Sequence, residues 1–383
     1  MANKYPYKIL FLSSFDPTNR RKMSGVSYSL YISLKNTFVV VEILGPVNTR
    51  GILSSYIGRF IKMLPFRYNL DHSYLLAFLY ARAFKKRIPS SNFDIVFAPR
   101  ASTEVALLNI AIPIVYFTDT TFKGLYNYYE WFSGFSALSV WEGNKIESLA
   151  LNRAAMCLFS SEWAANSAVN DYNISPQKVQ VVQWGPNLDS IPLREDVLAP
   201  KTRDVCKLLF VGVEWERKGG FIAYEAFKYL KDQGYNVKLS ICGCPIPSGL
   251  NDPDMEEIPY INKNIPEENY KFHQMMLTHH FFILPTRAEC YGMVFAEASA
   301  YALPIVTTDT GGIGSVVKDG VNGFKLPLTA TGEDFGKTIE NIFFKRESYE
   351  EMRISTRNFF EQVLHWDNFS NQIYKVIARL KQN

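Results

Sequence analysis

Two carboxylates eight positions apart, Glu289 and Glu297, bracket a glycine and a helix start in the run 283–324, ILPTRAECYGMVFAEASAYALPIVTTDTGGIGSVVKDGVNGF. An apolar strand over 281–284 ends at Pro285. A loop carries Glu289, then Tyr291 and Gly292. A short apolar helix begins near Met293, carries Glu297 and stops before Pro304. A second strand over 304–306 leads to Gly311-Gly312. Strand, loop and helix in this order form the α/β arrangement in which ligands bind outside the carboxyl ends of parallel strands. The amides of Tyr291, Gly292 and Met293 fall at a helix N-terminus, a ready anion site, and Gly292 lets backbone approach a ligand closely. Glu289 precedes the helix and Glu297 lies more than a turn inside it. The two should therefore address different parts of one ligand, on either side of its phosphates. The plain alternative is a helix with one solvated Glu and one loop Glu; the glycines, flanking strands and downstream GG weigh against it.

The stretch Glu289-Cys-Tyr-Gly-Met-Val-Phe-Ala-Glu297 resembles the E-x7-E signature of retaining nucleotide-sugar glycosyltransferases (glycosyl transferases group 1) with the GT-B fold. The resemblance implies two Rossmann-like α/β domains whose parallel sheets face a central cleft. It implies that Glu289 lies by the donor sugar, that Glu297 accepts from the ribose hydroxyls and that the backbone between them holds the diphosphate. Relatives carry a Lys six positions after the glycine that ends the second domain's first strand. Lys218 matches it in the loop GVEWERKGG over 212–220. An earlier basic position is Val213 here, and the adjacent Arg217 supplies a charge instead. Fixed cations stabilise the charge gathering on a leaving nucleoside diphosphate without a metal or other cofactor. Relatives place glycine two residues before the proline that follows the helix; here it is Ala302, a methyl group expected to change only local packing.

The elements that must position these residues repeat a strand–helix alternation. In the first half, apolar runs at 7–13, 38–44, 94–98, 112–117, 156–159 and 178–182 read as parallel strands. The loop after the first carries Gly25 ahead of a helical stretch. By resemblance this is a donor-phosphate loop, with one glycine where many relatives have two. The 112–117 strand ends in a polar cluster at 118–121. Relatives often place a His there that touches the donor sugar; Asp119 is the nearest polar substitute, with N-capping of the next helix as its structural alternative. In the second half, strands are expected at 207–211, 237–242 and 260–263. His279 and His280 read as surface or capping residues. The resemblance places the acceptor-side domain at 1–190, the donor-binding domain at 205–365 and a final helix, 366–383, crossing back onto the first domain; residues 186–205, with Pro, Asp and Arg and no periodicity, read as a linker.

The 383 residues are 47% hydrophobic and 20% charged, a globular balance. A net charge of +4 is too small to argue for nucleic acid. Five cysteines without a C-x-x-C pair suggest a reducing compartment, and no three-ligand spacing supports a metal. No signal peptide or membrane-length apolar run is evident, so the expected location is cytoplasmic, with an inner-membrane surface as the peripheral option. Residues 50–90 hold eight basic residues against one acidic, Asp71. Leu, Phe and Tyr lie between the charges, which suits either an anionic membrane surface or a solvated helical face.

These features point to transfer of a sugar from a nucleotide-diphosphate sugar to a hydroxyl acceptor such as a glycan, lipid-linked sugar or small molecule. A GT-B nucleotide-sugar epimerase and a non-catalytic sugar-nucleotide-binding subunit are the alternatives. The absence of G-x-G-x-x-G after the first strand disfavours a dehydrogenase.

Overall fold

The central strands of each parallel sheet are continuous apolar runs buried along their whole length, as expected where both faces are covered, while the edge strands are only partly buried. The structure, a computed structural model, describes residues 4–20, 22–47, 66–89, 92–345 and 348–382. Arg50, Arg59 and Lys62 of the basic stretch lie outside the described residues.

The first unit comprises Met1–Trp184 and Trp366–Asn383. Its sheet has the order β2-β1-β3-β4-β5-β6, all parallel, from β1 (Tyr5–Leu12), β2 (Phe38–Leu44), β3 (Ile95–Pro99), β4 (Ile114–Thr118), β5 (Met156–Phe159) and β6 (Val179–Val181). The order reverses between β1 and β3, which is where an open sheet of this kind binds ligands. Helix Trp366–Gln382 belongs to this unit. Its Phe369 packs edge-on against Phe117 at 5.4 Å, Tyr374 stacks on Tyr5 at 3.9 Å, and Lys381 pairs with Asp94 at 2.7 Å.

The second unit, Gly185–His365, has the order β12-β11-β10-β7-β8-β9, again all parallel. Its strands are β7 (Cys206–Val211), β8 (Val237–Cys242), β9 (Met255–Ile258), β10 (Phe281–Leu284), β11 (Ile305–Thr308) and β12 (Gly323–Leu326). Its switch point falls between β7 and β10. The loops that follow these two strands carry Arg217 and Lys218, and Glu289.

Three expectations are corrected. The strand expected at 260–263 is loop; the sheet instead takes β9, whose burial is slight and whose Glu256 and Glu257 point outward as on a charged edge. His279 and His280 are buried, at 7% and 2% exposure: Tyr349 and Phe343 pack on the His280 ring, and His279 turns inward to Met275 O and Ser240 Oγ. The aperiodic stretch after residue 186 contains a one-turn helix, Arg194–Val197. Two buried arginines fasten that stretch: Arg353 donates to the carbonyls of Val197 and Ala199, and Arg357 to that of Pro192.

Ala302 is also more than a packing change. The Leu303 N–H donates to Ala298 O at 3.0 Å and the Ala302 N–H to Ser299 O at 3.1 Å, closing a Schellman motif on helix Met293–Ala300. Ala302 itself has φ 54°, the left-handed region. An alanine there carries a strain that glycine lacks. Ala302→Gly is expected to stabilise the second unit by about 1 kcal/mol, read as a rise of a few degrees in Tm; an unchanged or lower Tm contradicts this.

Candidate functional site

The β7 loop turns sharply because Gly219 adopts φ 76°, and a Cβ on it would lie 2.0 Å from the Pro285 carbonyl oxygen. Only glycine permits that approach. It seats the β7 loop against the β10 loop, where the Arg287 N–H donates to Arg217 O at 2.7 Å and Thr286 Oγ1 donates to the same carbonyl at 3.2 Å. With the backbones so joined, Lys218 Nζ reaches Glu289 Oε2 in a half-enclosed ion pair, each side chain about one-eighth exposed.

Arg217 sits one residue back with its guanidinium forked onto Glu214, Nε to Oε2 at 2.8 Å and Nη2 to Oε1 at 2.9 Å. Its Nη1 donates to Ala288 O at 3.1 Å and stands 4.0 Å from Glu289 Oε2. The Glu289 carboxylate thus faces two cations, one in contact and one at the edge of contact. The Arg217 charge is already shared with Glu214, whose carboxyl it holds below the usual range through hydrogen bonds.

Gly292 is the N-cap of helix Met293–Ala300, at φ 83°, and as glycine brings no capping side chain of its own. The Gly312 N–H donates to Glu289 O at 3.1 Å, so the downstream GG loop supports the acidic loop from the other side. Tyr291 is buried beneath it. The five neighbours Lys218, Glu289, Tyr291, Gly292 and Met293 therefore share one patch at the carboxyl ends of β7 and β10.

Glu297, 5% exposed, receives Lys263 Nζ on Oε1 at 2.6 Å; the same ammonium donates to Asn187 O at 2.9 Å. Lys263 is the residue that sequence reasoning missed. It was placed in a strand, and its partner lies 34 positions away with no periodic relation to it.

Gly25 and Asp119 belong to the first unit. Gly25, at φ 80°, caps helix Val26–Thr37 after β1. Asp119 follows β4 and lines a cavity of about 750 Å³ with His72, Arg100, Thr120 and Glu147. Arg100 Nε stands 3.5 Å from Asp119 Oδ1, an atom that is buried without a hydrogen bond. The N-cap alternative for Asp119 fails, since Thr121 caps helix Phe122–Leu125 through the Gly124 N–H at 3.1 Å. Among the described residues, no group of three or more His, Cys, Asp or Glu is placed to hold a metal ion.

Residues 194–359, which include the Lys218–Glu289 pair, match the profile of the family Glycosyl transferases group 1. The likeness to that family lies in this stretch, within the second unit. Among curated relatives, an uncharacterised glycosyltransferase of Methanocaldococcus jannaschii is 29% identical over 173 residues, 40% of this chain and 48% of that protein. The chain spans about half the length of the curated relatives it matches. Over nearly the whole chain the structure is similar to the lipopolysaccharide outer core galactosyltransferase WaaB in its apo form, with TM-score 0.63 and 17% identity over 96% of this chain and 99% of that one. It is also similar to Anabaena HepE in complex with UDP and glucose, with TM-score 0.61 and 15% identity over 97% and 99%. The fold is GT-B, two Rossmann-like units each with its own parallel sheet.

Proposed function

We propose that the chain is a retaining glycosyltransferase that moves a sugar from a nucleotide-diphosphate sugar to a hydroxyl acceptor. The observation that carries this reading is the Lys218–Glu289 pair, set beside the glycine-led helix start at Met293, at the β7/β10 switch point. A diphosphate placed there meets the Lys218 ammonium, the Arg217 guanidinium and the amides of Tyr291, Gly292 and Met293. The Arg217 guanidinium and the amides are fixed before the reaction, so they stabilise developing charge without reorganising, while the Lys218 ammonium has only to turn from Glu289 to the phosphates. Glu289, released from Lys218 as the phosphates take the ammonium, orients the sugar ring. Glu297, braced by Lys263, accepts from the ribose. By resemblance to the family, Gly25 is assigned to the donor phosphates and Asp119 to the sugar.

In the proposed reaction the bond from the anomeric carbon to the β-phosphate oxygen breaks. The acceptor oxygen bonds to that carbon on the same face, and its proton passes to the departing phosphate. The cations do the work a divalent metal would otherwise do, so EDTA is expected to leave the rate unchanged. HepE was solved with UDP and glucose and with UDP-glucose, which supports a UDP-sugar as the first donor to try.

The test is a thermal-shift screen of UDP-, GDP- and ADP-sugars. A ligand that binds only the folded state at one hundred times its Kd adds about 2.7 kcal/mol of apparent stability, a shift of several degrees. No shift with any donor overturns the reading. Shift without turnover, across glycan and lipid-linked acceptors, favours a binding subunit. NMR of the product's anomeric proton reports retention or inversion.

A further inference from the structure

The first unit turns large apolar side chains outward on two neighbouring helices. Helix Tyr74–Lys85 exposes Leu75 and Phe78, at 45% and 55%, then Arg82 and Lys85 on the same face. Helix Ala137–Arg153 exposes Leu138 and Trp141, at 55% and 53%, then Lys145. The apolar ends adjoin: the rings of Tyr74 and Trp141 lie 5.9 Å apart, and the Tyr74 N–H donates to Glu142 Oε1 at 3.3 Å. Both acids of these helices, Glu142 and Glu147, are buried. The exposed charge on the two helices is therefore all positive, set beside an aromatic and aliphatic patch.

We infer that this face docks on an anionic lipid surface, with Leu75, Phe78, Leu138 and Trp141 entering the interface and Arg82, Lys85 and Lys145 meeting headgroups. Charge complementarity selects the occupant. An apolar protein partner would satisfy the patch and leave the basic residues uncompensated, whereas an anionic bilayer satisfies both. Tryptophan favours the boundary between headgroups and hydrocarbon, and basic side chains flanking an apolar face anchor amphipathic helices there. The inference stands apart from the transferase reading, because it concerns where the protein sits rather than what it transfers.

The experiment is co-sedimentation of the full chain with vesicles of phosphatidylcholine, with and without phosphatidylglycerol. Binding is expected on the anionic vesicles and weakens with salt. The pair Arg82→Ala/Lys85→Ala is expected to lower partitioning roughly twenty-five-fold, at about five-fold for each charge removed. The pair Leu138→Ser/Trp141→Ser should lower it at least about tenfold, with Tm and the donor-induced thermal shift unchanged in both. If the serine pair does not fold, the charge pair decides. Equal binding to uncharged vesicles, no binding at low salt, or partitioning unmoved by the charge pair overturns the inference. So does a concentration-dependent dimer in sedimentation that these substitutions dissolve, which would assign the face to a second copy.

Discussion

Lys218→Ala is expected to lower kcat for sugar transfer by about two to three orders of magnitude, the cost of removing one fixed charge-stabilising donor from a transition state. The ammonium sits against Glu289 and in the reaction would shift to the leaving diphosphate. Its loss should therefore act on kcat/KM and kcat together, as expected for an interaction made mainly in the transition state. Removing it also leaves Glu289 beside Arg217 alone, at 4.0 Å, a guanidinium already forked onto Glu214. Glu289→Gln keeps the shape and removes the charge, so kcat should fall by a similar factor while donor still raises Tm. Initial rates at saturating donor, with Tm as the folding control, decide the matter. Wild-type turnover in a well-folded Lys218→Ala protein would remove the pair from the mechanism.

Acid should act on the two units in opposite senses. In the second unit, burial pushes His279 down to about 4 and His280 to about 3. His280 shows why: its Nδ1 accepts the Lys207 N–H at 2.9 Å while Nε2 donates to Thr202 O at 3.0 Å, an arrangement only the neutral ring can make. A base with a depressed folded pKa contributes stability that is complete above its unfolded value, near 6.5, and is lost as pH falls. At pH 5 each histidine should cost about 2 kcal/mol, roughly 4 together. Lys201, held down to about 7 by burial, titrates over a higher window, between its ordinary 10.5 and 7, and adds nothing to the loss below pH 7.

In the first unit, burial raises Glu147 to about 7. A raised carboxyl contributes stability at low pH that is lost as pH climbs through 7, so this unit should gain about 2 kcal/mol between pH 7 and pH 5. Hydrogen exchange at the two pH values, corrected for intrinsic rates, checks both signs at once. Protection should fall in β7 and β10 and hold or rise in β3 and β4. A parallel fall in both sets would contradict the assignment.

What could be read from the chain, and what could not, divides along physical lines. Buried parallel strands announce themselves as apolar runs, and 156–159 and 281–284 fall where β5 and β10 lie. The edge strand β9 did not, because its sequence, Met-Glu-Glu-Ile, is written for solvent as much as for pairing. The Glu289–Gly292 loop was legible because glycine, acid and helix start are local features. Its cation was legible only through resemblance, since contact with Lys218 depends on Gly219 bringing two distant loops together. The Lys263–Glu297 link and the burial of His279 and His280 carry no local signal at all; they exist only once the second unit is packed. Ala302 was noticed as a missing glycine, but that its φ is positive is a backbone fact that no side-chain reasoning supplies.

The helix Trp366–Gln382 has a consequence for how the molecule is made. Its Phe369, Ile373 and Ile377 complete a hydrophobic core begun more than three hundred residues earlier, and Tyr374 and Lys381 fasten the helix to Tyr5 and Asp94. During vectorial synthesis the amino-terminal sheet must leave the ribosome with that seat vacant, while Gly185–His365 emerges whole. The later-made unit can thus reach its native state first, and the earlier one is finished last. Cutting the gene after residue 184 would yield a fragment lacking its own keystone, so excising the first unit calls for splicing 366–383 back onto it.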